Sequence, residues 1–242
     1  MESDSIVKES TMKDEAVSVS EPVRGCAAIP GWKRNLDLVC VFVATPVLAP
    51  AMVVIAIAIK LLSPGPVFFR QDRIGYLGRP FKCLKFRTMR ANAAAESHES
   101  YLKELMKSEA PMTKMDLMGD SRLFPLASAM RATGLDELPQ VFNVLRGEMS
   151  LVGPRPCLPY EYENYTVAQK CRFKTVPGIT GLWQVSGKNN TTFKEMIDLD
   201  MEYLSNRSFC LDLKIMLKTF PVLAVQLKEL LKNRLKWAKI LG

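Results

Sequence analysis

A chain of 242 residues, 48% of them hydrophobic, can build one substantial domain with an appended element but not two large ones. The formal net charge is +8 and there is a single histidine, His98, so a Ser-His-Asp triad or a multi-histidine zinc site is close to excluded. Acid-base or nucleophilic work must then fall to Asp, Glu, Lys, Cys or Tyr. The six cysteines (Cys26, Cys40, Cys83, Cys157, Cys171 and Cys210) form no C-x-x-C pair and no disulfide framework, and read as reduced packing residues on the cytoplasmic side. None of the glycines forms G-x-G-x-x-G, and "SGKN" at Ser186–Asn189 lacks P-loop spacing.

Residues 1–30 are polar and mixed in charge, and are expected to be a disordered lead-in without a secretory signal. The segment 31–62 changes character abruptly: from Leu38 to Ile59 there is no charge, about the ~20 residues that a spanning helix requires. Pro46 and Pro50 lie near the middle of this run, where each removes a backbone donor. Both flanks are basic, with Lys33 and Arg34 before it and Lys60, Arg70 and Arg73 after it, whereas a span prefers one basic end. Two arrangements stand: a kinked span, or a re-entrant helix that bends at the prolines and returns to the same headgroup layer. In the second, Thr45 is a candidate to satisfy carbonyls freed at the bend.

Residues 63–220 read as one α+β domain, small, mixed and mainly helical, with short hairpins. After the turn "SPGP", "VFFRQDRIGYLGRPFKCLKFRTM" predicts short strands rich in cationic donors. Residues 92–119, including the His98 region, read as helix plus mobile loop. From Arg131 to Asn190 the Gly/Pro-rich stretches "DELPQ", "LVGPRP" and "VPGITGLWQVSGKNN" predict side chains held on fixed turns, which suits a site. "TFKEMIDLDMEYLSN" and "SFCLDLKIMLKTF" predict helices. Pro221 is expected to separate the latter from a basic amphipathic helix over 221–242, where Leu223, Leu227, Leu230, Leu231 and Leu235 recur at helical spacing before Trp237. From Lys214 onward seven Lys/Arg face one acid, Glu229, a net +6 of the chain's +8. This is the pattern of a helix lying in a membrane interface, the alternative being an amphipathic helix packed on a soluble core.

In "GLDELPQVFNVLRG", residues 134–147, Leu138, Phe142 and Leu145 mark one helical face and Gly147 a stop, with Pro139 in the first turn. Asp136 then falls near the N-cap and Glu137 just inside, where the helix start favours ionised carboxylates. Capping alone explains an acid there in most proteins. The company shifts the balance: Arg131, Arg155 between Pro154 and Pro156, Lys85 and Arg87 would surround the pair with cations, as in phosphate handling. One carboxylate can hold Mg²⁺ while the other attacks phosphorus.

"KFRTM", "DELPQVFNVLRGEMSLVGPRP", "PGITGLWQVSGKN", "DMEYLSNRS" and "LDLKIMLKT" resemble the bacterial sugar transferase family of polyprenyl-phosphate hexose-1-phosphate transferases, from about Lys33 to Thr219. "GLWQVSGKN" looks most like the branch that primes exopolysaccharide or O antigen with galactose or glucose phosphate. The resemblance implies a UDP-sugar donor, Mg²⁺ as cofactor and undecaprenyl phosphate as acceptor, at the cytoplasmic face of a bacterial inner membrane. It implies membrane lipids and later glycosyltransferases of the same pathway as partners, and no nucleic acid. It makes Asp136 the nucleophile and Glu137 the metal ligand. Lys85, Arg131 and Arg155 would bind phosphate oxygens, with Asp200 an acidic member of the site. It also favours the re-entrant arrangement, broken in related small members at a Ser-Pro step. Here that step is Ala49-Pro50, and an extra Thr45-Pro46 precedes it, so Thr45 would take over the missing hydroxyl's work.

Two other readings remain. Asp198 and Asp200 spell D-x-D, as in metal-dependent glycosyltransferases that form a glycosidic bond, although in a helix the two side chains diverge. A non-catalytic membrane-surface adaptor would rely on the basic tail alone.

Overall fold

The computed structural model describes residues 29–89, 110–111, 123–124, 126–187 and 191–241, with 229–231 and 233–241 as backbone. The expected lead-in at 1–28, His98 and its polar stretch, Lys188–Asn190 and the side chains of Leu230, Leu231, Leu235 and Trp237 lie outside the described residues.

The uncharged run forms one helix, α1, Gly31–Leu62, assigned without interruption through Pro46 and Pro50. It is the one helix among the described residues that is long and apolar enough to cross a membrane. Its mid-portion is bare, with Phe42, Val43 and Val47 all more than 70% exposed. Both ends are tied to the rest of the chain. The fully buried Lys33 ammonium donates to Val152 O at 2.7 Å, Tyr203 Oη at 2.9 Å and Asp212 Oδ2 at 2.6 Å. One turn later Asp37 accepts from Ser150 Oγ and the Leu151 N–H, both at 2.9 Å. At the other end Arg87 donates to Ser63 O at 2.7 Å and Pro64 O at 2.8 Å, and Ile59 packs with Phe86, Phe124, Ala127 and Met130.

Two strands follow as predicted: β1, Phe68–Ile74, and β2, Pro80–Phe86, an antiparallel hairpin in the register Phe69↔Lys85 and Arg73↔Phe81. Helix α2, Ala127–Thr133, ends at Gly134 in the left-handed region, and a 3₁₀ turn, Leu135–Glu137, leads into α3, Gln140–Arg146. Gly147, also left-handed, terminates α3 as the sequence predicts. The Leu138–Phe142–Leu145 face of that helix is not its inward one. Phe142 and Leu145 are exposed, while Gln140, Val141, Asn143 and Val144 are buried. Asn143 explains the choice of face, because its carboxamide accepts from the Leu84 N–H at 3.0 Å and donates to Lys82 O at 2.8 Å, so it pairs with the open edge of β2.

The short strands β3, Ser150–Val152, and β4, Gly178–Thr180, pair in parallel. This pairing accounts for glycine in both "LVGPRP" and "VPGITG". A Cβ on Gly178 would lie 2.0 Å from the Gly153 nitrogen, and one on Gly153 would lie 2.5 Å from Val176 O. Between the strands come α4, Pro159–Glu163, α5, Val167–Lys170, and a 3₁₀ turn, Cys171–Lys174. After β4 come α6, Leu182–Val185, and α7, Phe193–Asn206, which Thr192 and Glu195 start with a reciprocal capping box.

The last helix corrects the sequence reading. Pro221 does not separate two helices: α8 runs from Phe209 to Leu241 with the proline inside it. Its inner face carries the buried Asp212 and Ile215, and its outer face exposes Phe209, Leu213, Leu217 and Phe220 beside Lys214 and Lys218. Apolar exposure therefore begins a dozen residues before the expected boundary at 221. Thr45 is also corrected. Its hydroxyl bonds Val41 O at 2.8 Å, not the Phe42 carbonyl that Pro46 leaves without its usual donor.

Neutralising Lys33 should leave Asp212 buried without its counter-charge. Lys33→Met is expected to lower stability by about 3–5 kcal/mol in urea unfolding of the detergent-solubilised protein. The double variant Lys33→Met/Asp212→Asn should lose less than the two single losses added together, and additive losses would rule out the pairing.

Candidate active site

The structure delivers the two acids differently from a helix start. Asp136 and Glu137 occupy the 3₁₀ turn, closed by Glu137 N–H to Gly134 O at 3.0 Å and Leu138 N–H to Leu135 O at 3.4 Å. Pro139 is the N-cap of α3 and not a residue of its first turn. Gly134 supplies the left-handed bend (φ 72°) that reverses the chain between Arg131 in the last turn of α2 and Asp136. The acids thus stand on a tight turn between two helices, with backbone torsions set by Gly134 before them and Pro139 after them.

Their surroundings differ. Asp136 is 8% exposed. Glu137 is 37% exposed, and its Oε1 receives the Lys85 ammonium at 2.7 Å. Lys85 reaches it from β2, so this ion pair joins the hairpin to the turn that carries both carboxylates. Arg131 is half-buried three residues before Gly134. Arg87, expected among the cations round the pair, is instead committed to the carbonyls at the end of α1.

A second charged cluster lies toward the hairpin tip. Arg73 and Lys85 share one face of the β1–β2 pair, about 13 Å apart along it, since Arg73 pairs with Phe81 four residues before Lys85. Arg73 donates to Pro156 O at 2.9 Å, in the "GPRP" segment that carries Arg155. Arg155 Nη1 in turn meets Glu161 Oε1 at 3.0 Å. Burial would push the Glu161 carboxyl up, yet Arg155, Arg73 and the Leu158 N–H together hold it below the usual glutamate range.

Asp200 is where the expected site departs most from the observed one. It was expected to face substrate, but it is fully buried and ion-paired with the equally buried Arg172. Burial pushes its carboxyl up to about 6 against the pull of Arg172 and Arg155. Asp198, two residues earlier on α7, is exposed, so the D-x-D pair diverges and cannot hold one ion between its members. Arg172, Glu161 and Arg73 were not read as site residues. Only their spacing from "GPRP" could have signalled them, and that spacing has no local period.

The resemblance implies Mg²⁺, and the turn offers carboxylates that could hold it. Hard cations of this kind bind through one or two carboxylates plus substrate phosphates, and Glu137 is accessible beside Asp136 on a turn bordered by cations. Among the described residues no group of three or more His, Cys, Asp or Glu side chains forms a metal cage.

These features coincide with a known family: residues 29–226 match the family described as bacterial sugar transferase. The chain belongs to this family. Among similar proteins, the exopolysaccharide production protein ExoY of Sinorhizobium fredii is 37% identical over 193 residues, covering 80% of this chain and 85% of that protein. The UDP-glucose:undecaprenyl-phosphate glucose-1-phosphate transferase of Caulobacter vibrioides is 39% identical over 199 residues, covering 79% and 69%. The undecaprenyl-phosphate galactose phosphotransferase of Salmonella typhimurium is 36% identical over 196 residues, covering 78% of this chain and 40% of that longer protein. This bacterial sugar transferase is therefore an enzyme, and its matched region contains the turn, the hairpin, "GPRP" and α7.

Neutralising Glu161 tests the second cluster. Because its folded-state pKa lies below the unfolded one, ionised Glu161 stabilises the fold above the ordinary glutamate range and ceases to do so as pH falls through its own lower value. Glu161→Gln is expected to cost about 3 kcal/mol at neutral pH. In urea titrations the gap between variant and wild type should narrow on acidification below about pH 4. A gap independent of pH would contradict the ion pair.

Proposed function

We propose that this enzyme transfers a sugar-1-phosphate from a UDP-sugar to undecaprenyl phosphate and releases UMP, as the first membrane step of exopolysaccharide or O-antigen-type glycan assembly. The observation that carries this reading is the turn itself: adjacent carboxylates in unlike settings, Glu137 half-exposed and bound to Lys85 and Asp136 buried, in a chain whose relatives are named for this transfer.

In the first half-reaction a carboxylate oxygen of Asp136 attacks the phosphorus that bears the sugar, and the bond from that phosphorus to the UMP oxygen breaks. In the second, an oxygen of undecaprenyl phosphate attacks the same phosphorus and frees the carboxylate. Asp136 is anchored for attack by a turn with little freedom, so less orientation has to be acquired in the transition state. Lys85, Arg131 and Arg155 offset the negative charge that would otherwise repel an anionic nucleophile. Lys85 also fixes Glu137, which with Mg²⁺ bound would be its protein ligand; the ion would supply charge neutralisation on the diphosphate and on departing UMP.

The same reading gives α1 a re-entrant course from the cytoplasmic face of the inner membrane. A span would separate its ends by about 30 Å of hydrocarbon, whereas Lys33 and Asp37 at one end and Ile59 and Ser63 at the other are all held by the one domain. The exposed side chains between them, together with the outer face of α8, would lie among membrane lipids, where the acceptor phosphate resides. Later glycosyltransferases would take the lipid-linked sugar onward.

Incubation with a panel of UDP-sugars and Mg²⁺, without lipid, is expected to leave a hexose-phosphate adduct on the peptide containing Asp136. Mass spectrometry reads it, and the productive donor names the sugar. Asp136→Asn should abolish both adduct and transfer while remaining folded and membrane-bound. Release of UDP in place of UMP would overturn the reading in favour of glycosidic-bond formation.

For topology, single cysteines at positions 29 and 65 in a cysteine-free background should both react with a membrane-impermeant thiol reagent from the cytoplasmic side alone. Labelling from opposite sides would establish a span.

A further inference from the structure

Arg155 sits in an unusual setting for a surface cation. Glu161, Arg172 and Asp200 around it are fully buried and Arg73 nearly so, while Arg155 itself keeps 18% exposure. Buried ion pairs seldom add net stability over well-packed apolar side chains, so their concentration here asks for another role. Each of them bears on the placement of one residue. Glu161 Oε1 and Oε2 receive Arg155 Nη1 at 3.0 and 3.3 Å. Arg172 Nη2 donates to Arg155 O at 3.0 Å, and Arg73 Nη1 donates to the next carbonyl, Pro156 O, at 2.9 Å. Arg172 is aimed in turn by Asp200 Oδ2 and by Tyr165 Oη, the latter at 2.8 Å, and its guanidinium lies over the rings of Tyr165 and Phe173. Pro154 and Pro156 restrict the torsions on either side.

The engagement is one-sided. Among the described residues, Glu161 takes Nη1 and leaves the Nε–Nη2 edge of the Arg155 guanidinium, the planar fork that matches two phosphate oxygens. We propose that Glu161, Arg172 and Asp200 are positioning residues that hold this fork toward a phosphate of the donor, Asp200 acting through Arg172 without touching substrate. The proposal rests on the reading of Arg155 as a phosphate ligand. A fork held in advance by fixed partners binds its anion without first having to order itself.

Donor kinetics at saturating acceptor test this in a double-mutant cycle. Arg155→Lys keeps the charge beside Glu161 but loses the fork, and should raise the donor KM tenfold or more. Asp200→Asn should raise the donor KM about fivefold in the wild-type background and less than twofold when Arg155→Lys is already present. Tyr165→Phe removes one hydroxyl from Arg172 and should show the same dependence on Arg155 at smaller amplitude. It carries the test if Asp200→Asn does not fold. Equal factors in both backgrounds would overturn the relay and show that Asp200 or Tyr165 acts independently of Arg155. An unchanged donor KM in Arg155→Lys would overturn the phosphate reading of Arg155 itself, and the relay with it.

Discussion

The Lys33 ammonium lies where four elements meet: it begins α1, bonds the last carbonyl of β3, and reaches Tyr203 on α7 and Asp212 on α8. A buried lysine needs its charge compensated and its donors satisfied, and here each partner comes from a different element. Satisfying one side chain therefore fixes the apolar helix, the strand that precedes "GPRP" and the two long helices relative to one another. Asp37, one turn further on, repeats the arrangement with opposite charge against the start of β3. The hydrocarbon-like middle of α1 has only part of one face to orient it against the domain: Val41, Met52, Ile55 and Ala56 pack inward, while Phe42, Val43, Val47, Val53 and Val54 are exposed.

From that junction the site is assembled in two parts. β3 leads through Gly153 into the segment bearing Arg155, and the close backbone approach of Gly153 to Gly178 sets that segment's course. The hairpin links this part to the other, since Arg73 holds Pro156 and Lys85, on the same face, holds Glu137. Two cationic regions are thus spaced along one stiff element while the acids sit on a separate tight turn.

Arg172 and Asp200 show how burial and function coexist at a cost. Among the described residues Asp200 Oδ1 and Arg172 Nε lie buried without a hydrogen-bond partner, and the Asp200 carboxyl is pushed up to about 6. A pair tuned only for stability would satisfy these atoms or dispense with the charges. What the pair does achieve is the placement of the Arg155 carbonyl.

Local features were plain in the sequence because their causes are local. The uncharged length from Leu38 to Ile59 requires a long helix, the aromatic, basic and glycine-bounded segment gives the β1–β2 hairpin, Gly147 ends α3, and "TFKEMIDLDMEYLSN" gives α7. The motifs around the acid pair sufficed to place the chain in its family. Tertiary structure decided which groups face outward. Arg87 and Arg155 look alike in sequence, yet one secures the end of α1 and the other keeps an accessible edge. Asp200 became internal because Arg172, 28 positions away, came to lie against it. Phe142 faces out because Asn143 has a strand edge to pair with, and α8 continues through Pro221 although the proline lacks the donor for its turn. Periodicity fixes that an element exists, but its buried face and the partner of each charge depend on contacts between segments far apart in the chain.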